Sequence, residues 1–155
     1  MELENNNKDG FIPKHGGYRN LITYQKSEII YDGTIYFTKR FFNKYDRTID
    51  QMLQAVRSVK QNIVEASMAS GTSKEMEIKL TNVARASLEE LRIDYEDFLR
   101  SNKHEIWDKE HRFVVRLRAL NKMPNPRYET FKKGIENVNV ACFAESPVVR
   151  LVVVA

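Results

Sequence analysis

Between Ile49 and Ala66 the apolar residues Ile49, Met52, Val56, Val59, Ile63 and Ala66 recur in alternating steps of three and four. A seam of that period commits a chain to helices lying side by side at a shallow angle, as in left-handed bundles. Leu53 and Val64 widen the seam. A second stretch, 84–91 (ARASLEEL), has the same helical period. Both stretches also place polar residues, Asn62, Glu65, Ser87 and Glu90, near the seams. That pattern belongs to helices with more than one neighbour. The polar set reads either as an acid-base cluster or as groups that satisfy one another and fix helix register, and bundle interiors favour the second.

The rest of the chain fits around this pair. Residues 1–17 carry Asn5, Asn6, Asn7, Gly10, Pro13, Gly16 and Gly17 with no periodicity, which reads as a flexible arm. From Tyr18 to Phe42 apolar residues are dense, and the length favours one long helix over a strand. Thr48 is the expected N-cap of the second helix, with Gln51 completing a capping box. Gly71 lies in the break that ends it. Ser73, followed by Glu75 and Glu77, opens a third helix over about 74–99. Its expected inward face is Met76, Leu80, Val83, Ser87, Leu91 and Phe98, broadened by Ala84, Leu88 and Tyr95. A fourth helix is expected over about 105–121, with Ile106, Phe113, Leu117 and Leu120 inward, stopped by Pro124 and Pro126. The expected fold is therefore all-α: an up-down-up-down four-helix bundle over 18–123. Residues 124–155 form an extension, with a short helix over about 127–138 and an apolar end, 148–155, that docks on the bundle, docks on another subunit or stays disordered.

The chain has 155 residues, 42% of them hydrophobic and 30% charged, which suits one folded domain with a core. No run is long and apolar enough for a membrane span. Residues 1–17 lack the apolar region of a secretory leader. The single Cys142 has no partner for an internal disulfide, which fits a cytoplasmic setting. Charge is unevenly spread. Residues 74–99 carry four basic and seven acidic groups, whereas 100–133 carry ten basic and four acidic. Either the acidic and basic helices lie together and neutralise each other, or the basic stretch faces an anionic partner such as nucleic acid.

Signatures of phosphate-binding loops, zinc proteases and redox dithiols are absent from the sequence. Cys142 has no neighbouring histidine and reads as structural. His104, Asp108 and His111 would share one face of a continuous helix and could then ligate a divalent metal, a weak alternative to ordinary surface histidines. The basic set is richer. Lys109, Arg112, Arg116, Arg118 and Lys122 belong to the fourth helix, Arg57 and Lys60 to the second, and Lys39 and Arg40 to the end of the first, with Lys44 and Arg47 just beyond. Basic side chains on rigid helices can track phosphates without reading base sequence. Tyr18, Tyr24, Tyr31, Tyr36 and Tyr45 could stack on unpaired bases, or pack in the core as tyrosines more commonly do.

Residues 51–66 (QMLQAVRSVKQNIVEA) resemble a known signature, Q-L-R-R-A-A-x-S-I-x-x-N-I-A-E-G, through Gln51, Ala55, Ser58, Asn62, Ile63 and Glu65. A companion signature, A-x-G-S-L-x-E-L, is matched by Ala84, Ser87, Leu88, Glu90 and Leu91. Leu21, Tyr24, Gln25 and Lys26 are similar to the opening helix of the same proteins. These are the four-helix-bundle proteins encoded in intervening sequences of bacterial 23S rRNA genes. The resemblance spans about 18–122. Ala66 and Ala86 stand where the signatures have glycine, and Leu53 and Gln54 where the first has two arginines. The resemblance implies a four-helix bundle assembled as a homopentamer. It is shared by the accessory variability determinant of diversity-generating retroelements, which is basic and works with a reverse transcriptase and nucleic acid. The expectation is a non-enzymatic, cofactor-free oligomer that binds RNA or DNA, with a protein-interaction scaffold or accessory subunit as the alternative.

Overall fold

The computed structural model describes residues 17–104, 106–124 and 127–136. All the regular structure among them is helical. After a short 3-10 turn at Tyr18–Asn20 come α1 (Ile22–Phe41), α2 (Thr48–Ala69), α3 (Lys74–Ser101), α4 (Arg112–Asn121) and α5 (Tyr128–Glu136). The arm, the apolar end and Cys142 lie outside the described residues.

The local chemistry explains each boundary. The first helix is shorter than its apolar density predicts, because Tyr18–Asn20 form a 3-10 turn and Leu21 is extended. Arg47, not Thr48, is the N-cap of α2: Thr48 is already helical, and Asp46 Oδ1, one residue before the cap, accepts its backbone N–H at 2.9 Å. The expected box with Gln51 is absent, since the Gln51 N–H bonds to the Arg47 carbonyl. Ser73 caps α3 as its sequence predicts, accepting the Met76 N–H at 3.2 Å. The end of α3 is a Schellman motif. The His104 N–H bonds to Leu99 O, the Lys103 N–H bonds to Arg100 O, and Lys103 takes a left-handed φ of 57°.

The core is built mainly from α1, α2 and α3. Ser58 of α2 meets Ser87 of α3, and Glu28 of α1 meets Lys60 of α2. Of the predicted α2 seam, Met52, Val56, Val59 and Ala66 are buried, and Ile49 and Ile63 are half-buried. The buried line of α3 is Ala84, Ser87, Leu91, Tyr95 and Leu99. Met76 and Val83, expected inward, are 45% and 41% exposed. Ala66 is buried and Ala86 is exposed, so only one of the two extra methyl groups must be packed.

Small side chains let α2 and α3 approach closely. The Ser58 and Ser87 hydroxyls are 2.8 Å apart, and Asn62 Nδ2 donates to Ser58 O at 2.8 Å and to Ser58 Oγ at 3.2 Å. Glu65 and Glu90 sit on exposed faces and take no part in this network, which therefore runs through Ser58, Asn62 and Ser87. Large side chains instead join α1 to α3. The Phe37 ring, fully buried, has its centroid 4.8 Å from that of Tyr95 and 4.9 Å from that of Phe98, in edge-on geometry. Thr34 Oγ1 lies 2.8 Å from the buried Tyr95 hydroxyl. Leu117 of α4 and Phe131 of α5 complete this aromatic end of the core.

Candidate nucleic-acid interface

The fourth helix starts later than its apolar spacing predicts. Asp108 Oδ1 accepts the Glu110 N–H at 2.9 Å in a side-chain turn, and the Trp107 and His111 rings stack at 4.1 Å. His111 then caps α4, its Nδ1 accepting the Phe113 N–H at 3.4 Å. Ile106 is consequently 52% exposed rather than inward. His104, Asp108 and His111 share no helical face: the first sits in the α3 stop, the second in a turn and the third at a cap. Among the described residues no three His, Cys, Asp or Glu groups are placed to hold a metal.

Ten residues long, α4 is anchored by Phe113, Val114 and Leu117, which are buried. That anchoring turns Arg112, Arg116 and Arg118 to solvent, with Lys109 just before the helix and Lys122 at its C-cap. Arg118 Nη1 reaches back to the Lys109 carbonyl at 3.5 Å, and the Arg112 guanidinium lies 4.6 Å from the Phe113 ring. The first turn of α4 holds no acidic residue. Arg112 stands at the positive end of the helix dipole, where a cation costs rather than contributes helix stability.

On α3 the charges neutralise one another instead. Arg92 bonds both Glu89 and Glu96, Arg100 pairs with Asp97 at 2.6 Å, and Lys74 pairs with Glu77 at 2.7 Å. Arg92 also holds the Glu89 carboxyl below the usual carboxylate range. Among the described residues no ion pair joins α3 to α4, so the acidic stretch does not screen the basic one by direct contact.

The remaining basic candidates are dispersed. Lys39 and Arg40 are exposed in the last turn of α1, and Arg57 is exposed on α2. Lys60 is drawn inward. Its Nζ is 3.6 Å from Glu28 and lies over the rings of Tyr31 and Tyr24, at 4.9 and 5.7 Å. This lysine belongs to a cleft of about 570 Å³ between α1, α2 and the start of α5, which also holds Asp32, Arg127, Tyr128 and Glu129. Burial pushes the Asp32 carboxyl up, and the Lys60 charge opposes that shift. No motif in the sequence marks this cleft, although Tyr24, Glu28, Tyr31 and Asp32 stand at helical spacing along one side of α1. Two tyrosines proposed for base stacking thus hold a lysine.

Neither a family, nor a curated protein, nor a solved structure matches this chain. No helix among the described residues is long and apolar enough to cross a membrane.

Proposed function

We propose that this is a non-enzymatic, oligomeric helical-bundle protein that binds RNA or DNA through the exposed face of α4. The observation that carries the reading is the set Arg112, Arg116 and Arg118, held outward on a packed helix and in no ion pair with a described carboxylate. Three cations on a short rigid element suit phosphates spaced along a strand, and they carry no means of reading base edges. Lys109 and Lys122 extend that face. Lys39, Arg40 and Arg57 are candidates for further backbone contacts, and Lys60, paired with Glu28, is a weaker one. Affinity for a labelled RNA or DNA should fall steeply as salt rises, and replacing the three arginines with glutamine should flatten that dependence.

The resemblance in α2 and α3 supports an up-down-up-down bundle assembled as a homopentamer in the cytoplasm. Exposed Val83 and Ile93 on α3, 41% and 47% accessible, offer apolar surface for subunit contact. Light scattering of the purified chain tests the assembly. The same apolar surface favours a second reading, a scaffold or accessory subunit that docks a protein such as a reverse transcriptase. Pull-down after nuclease treatment separates the two: a retained protein partner favours the scaffold, and loss of all partners favours nucleic acid.

A further inference from the structure

The helices of the core are unequal. At 1.5 Å per residue α3, with 28 residues, is about 42 Å long and α4, with 10, about 15 Å. Both α4 and α5 are spent on the aromatic end, where Leu117 and Phe131 join Phe37 and Tyr95. At the other end the start of α1, the end of α2 and the start of α3 meet with no fourth helix over them among the described residues. A groove of about 410 Å³ remains there, floored by Ile30, Val59, Ile63, Ala66, Ala84 and Leu88. Leu21 and Ile22 at its mouth are 40% and 61% exposed. Lys26, Glu77 and Arg85 provide its charged margin.

We propose that residues 148–155 of this same chain, Val-Val-Arg-Leu-Val-Val-Val-Ala, occupy the groove. Seven of those eight residues are apolar, so the segment and the groove each present surface that the other would remove from water. Its single charge, Arg150, has one acidic group to meet at the margin, Glu77, which stands there with Lys26 and Arg85 and among the described residues pairs with Lys74, whose side chain is 77% exposed. The chain is long enough. Residues 137–147 can span up to about 36 Å when extended. Along α1, the distance from Tyr36, where Tyr128 of α5 lies against it, to Ile22 is about 21 Å, and α5, from Tyr128 to Glu136, adds at most about 12 Å. Residues 1–16 are a poorer occupant, because Phe11 and Ile12 are their sole adjacent apolar pair amid asparagines, glycines and charges.

A spin label distinguishes the possible occupants. The full chain carries Cys142→Ser and Val153→Cys with a nitroxide on the new thiol, and the methyl resonances of the core are recorded. Ile63 and Leu88 should broaden while Val114 and Leu117 stay sharp, and reduction of the nitroxide should restore them. Uniform spectra would overturn the proposal. Mixing isotope-labelled, spin-free chains with spin-labelled, isotope-free chains isolates contacts between copies; broadening of Ile63 and Leu88 there would assign the groove to a second copy and overturn it. So would broadening of the same methyls by a label on Phe11→Cys with none from Val153→Cys. As a second measurement, the pair Val149→Asp and Val152→Asp leaves α1–α3 untouched and should raise the fluorescence of an apolar-surface dye over that of the parent chain. Unchanged dye fluorescence would likewise overturn the proposal.

Discussion

Thr34 has one hydroxyl proton, and its own helix takes it: Oγ1 donates to the Ile30 carbonyl at 2.8 Å. The Tyr95 hydroxyl, 2.8 Å away and buried, is therefore the donor in the bond that ties α3 to α1. Burial raises the Tyr95 phenol well above its ordinary pKa, so it keeps this proton. The two halves of the pair are consequently unequal. Tyr95→Phe leaves Thr34 bonded to its helix and should cost about 1 kcal/mol. Thr34→Val strands a buried hydroxyl and should cost more, about 1–3 kcal/mol. Chemical denaturation of the two variants should rank them in that order. Asp94 gives a pH signature. Burial, then the charges of Asp97 and Glu90, push its carboxyl up. A raised carboxyl favours the fold below the unfolded-state range, and that advantage is lost as pH rises through the unfolded and then the folded pKa. Asp94→Asn should therefore raise Tm at neutral pH, with the gain fading below about pH 4. At this scale Ser87 and Asn62 were legible as polar residues beside an apolar seam. Lys60 was not, because its inward turn depends on Glu28 and two tyrosines of another helix.

For the helices, the period of the apolar residues located α2 and α3, while competing local bonds decided the ends. Ile106, Phe113, Leu117 and Leu120 have a spacing compatible with a helix from 105. The Asp108 side-chain turn and the Trp107–His111 stack use the same residues differently, and α4 begins at Arg112. The α3 inward face shows a related limit. Met76 and Val83 fit the period, yet the bundle buries the neighbouring line through Ala84, Ser87 and Leu91, where small residues admit α2. The stop of α3 carries its own prediction. Lys103 holds a left-handed conformation that costs a side-chain-bearing residue more than glycine. Lys103→Gly should stabilise the protein by about 0.5–1 kcal/mol, the strain relieved outweighing the added freedom of the unfolded chain. A thermal melt that leaves Tm unchanged or lowers it would show that the loop gains its stability elsewhere.

Across the whole molecule, an aromatic end is closed by α4 and α5 and an apolar end is open among the described residues. The helical class was legible because helix period and turn residues agree along the chain. The short α4, the groove and the cleft around Lys60 depend on contacts between distant segments, which no local pattern carries. The functional account rests on α4, where burial of Phe113, Val114 and Leu117 dictates that the arginines face water. Its most direct test is a salt series of binding to labelled single-stranded RNA and duplex DNA, comparing the parent chain with Arg112→Gln/Arg116→Gln/Arg118→Gln. The account predicts micromolar or tighter binding that weakens with salt, and a slope of log affinity against log salt smaller by about 2–3 in the variant. No salt-dependent binding to either nucleic acid at micromolar protein, or an unchanged slope in the triple variant, would contradict it.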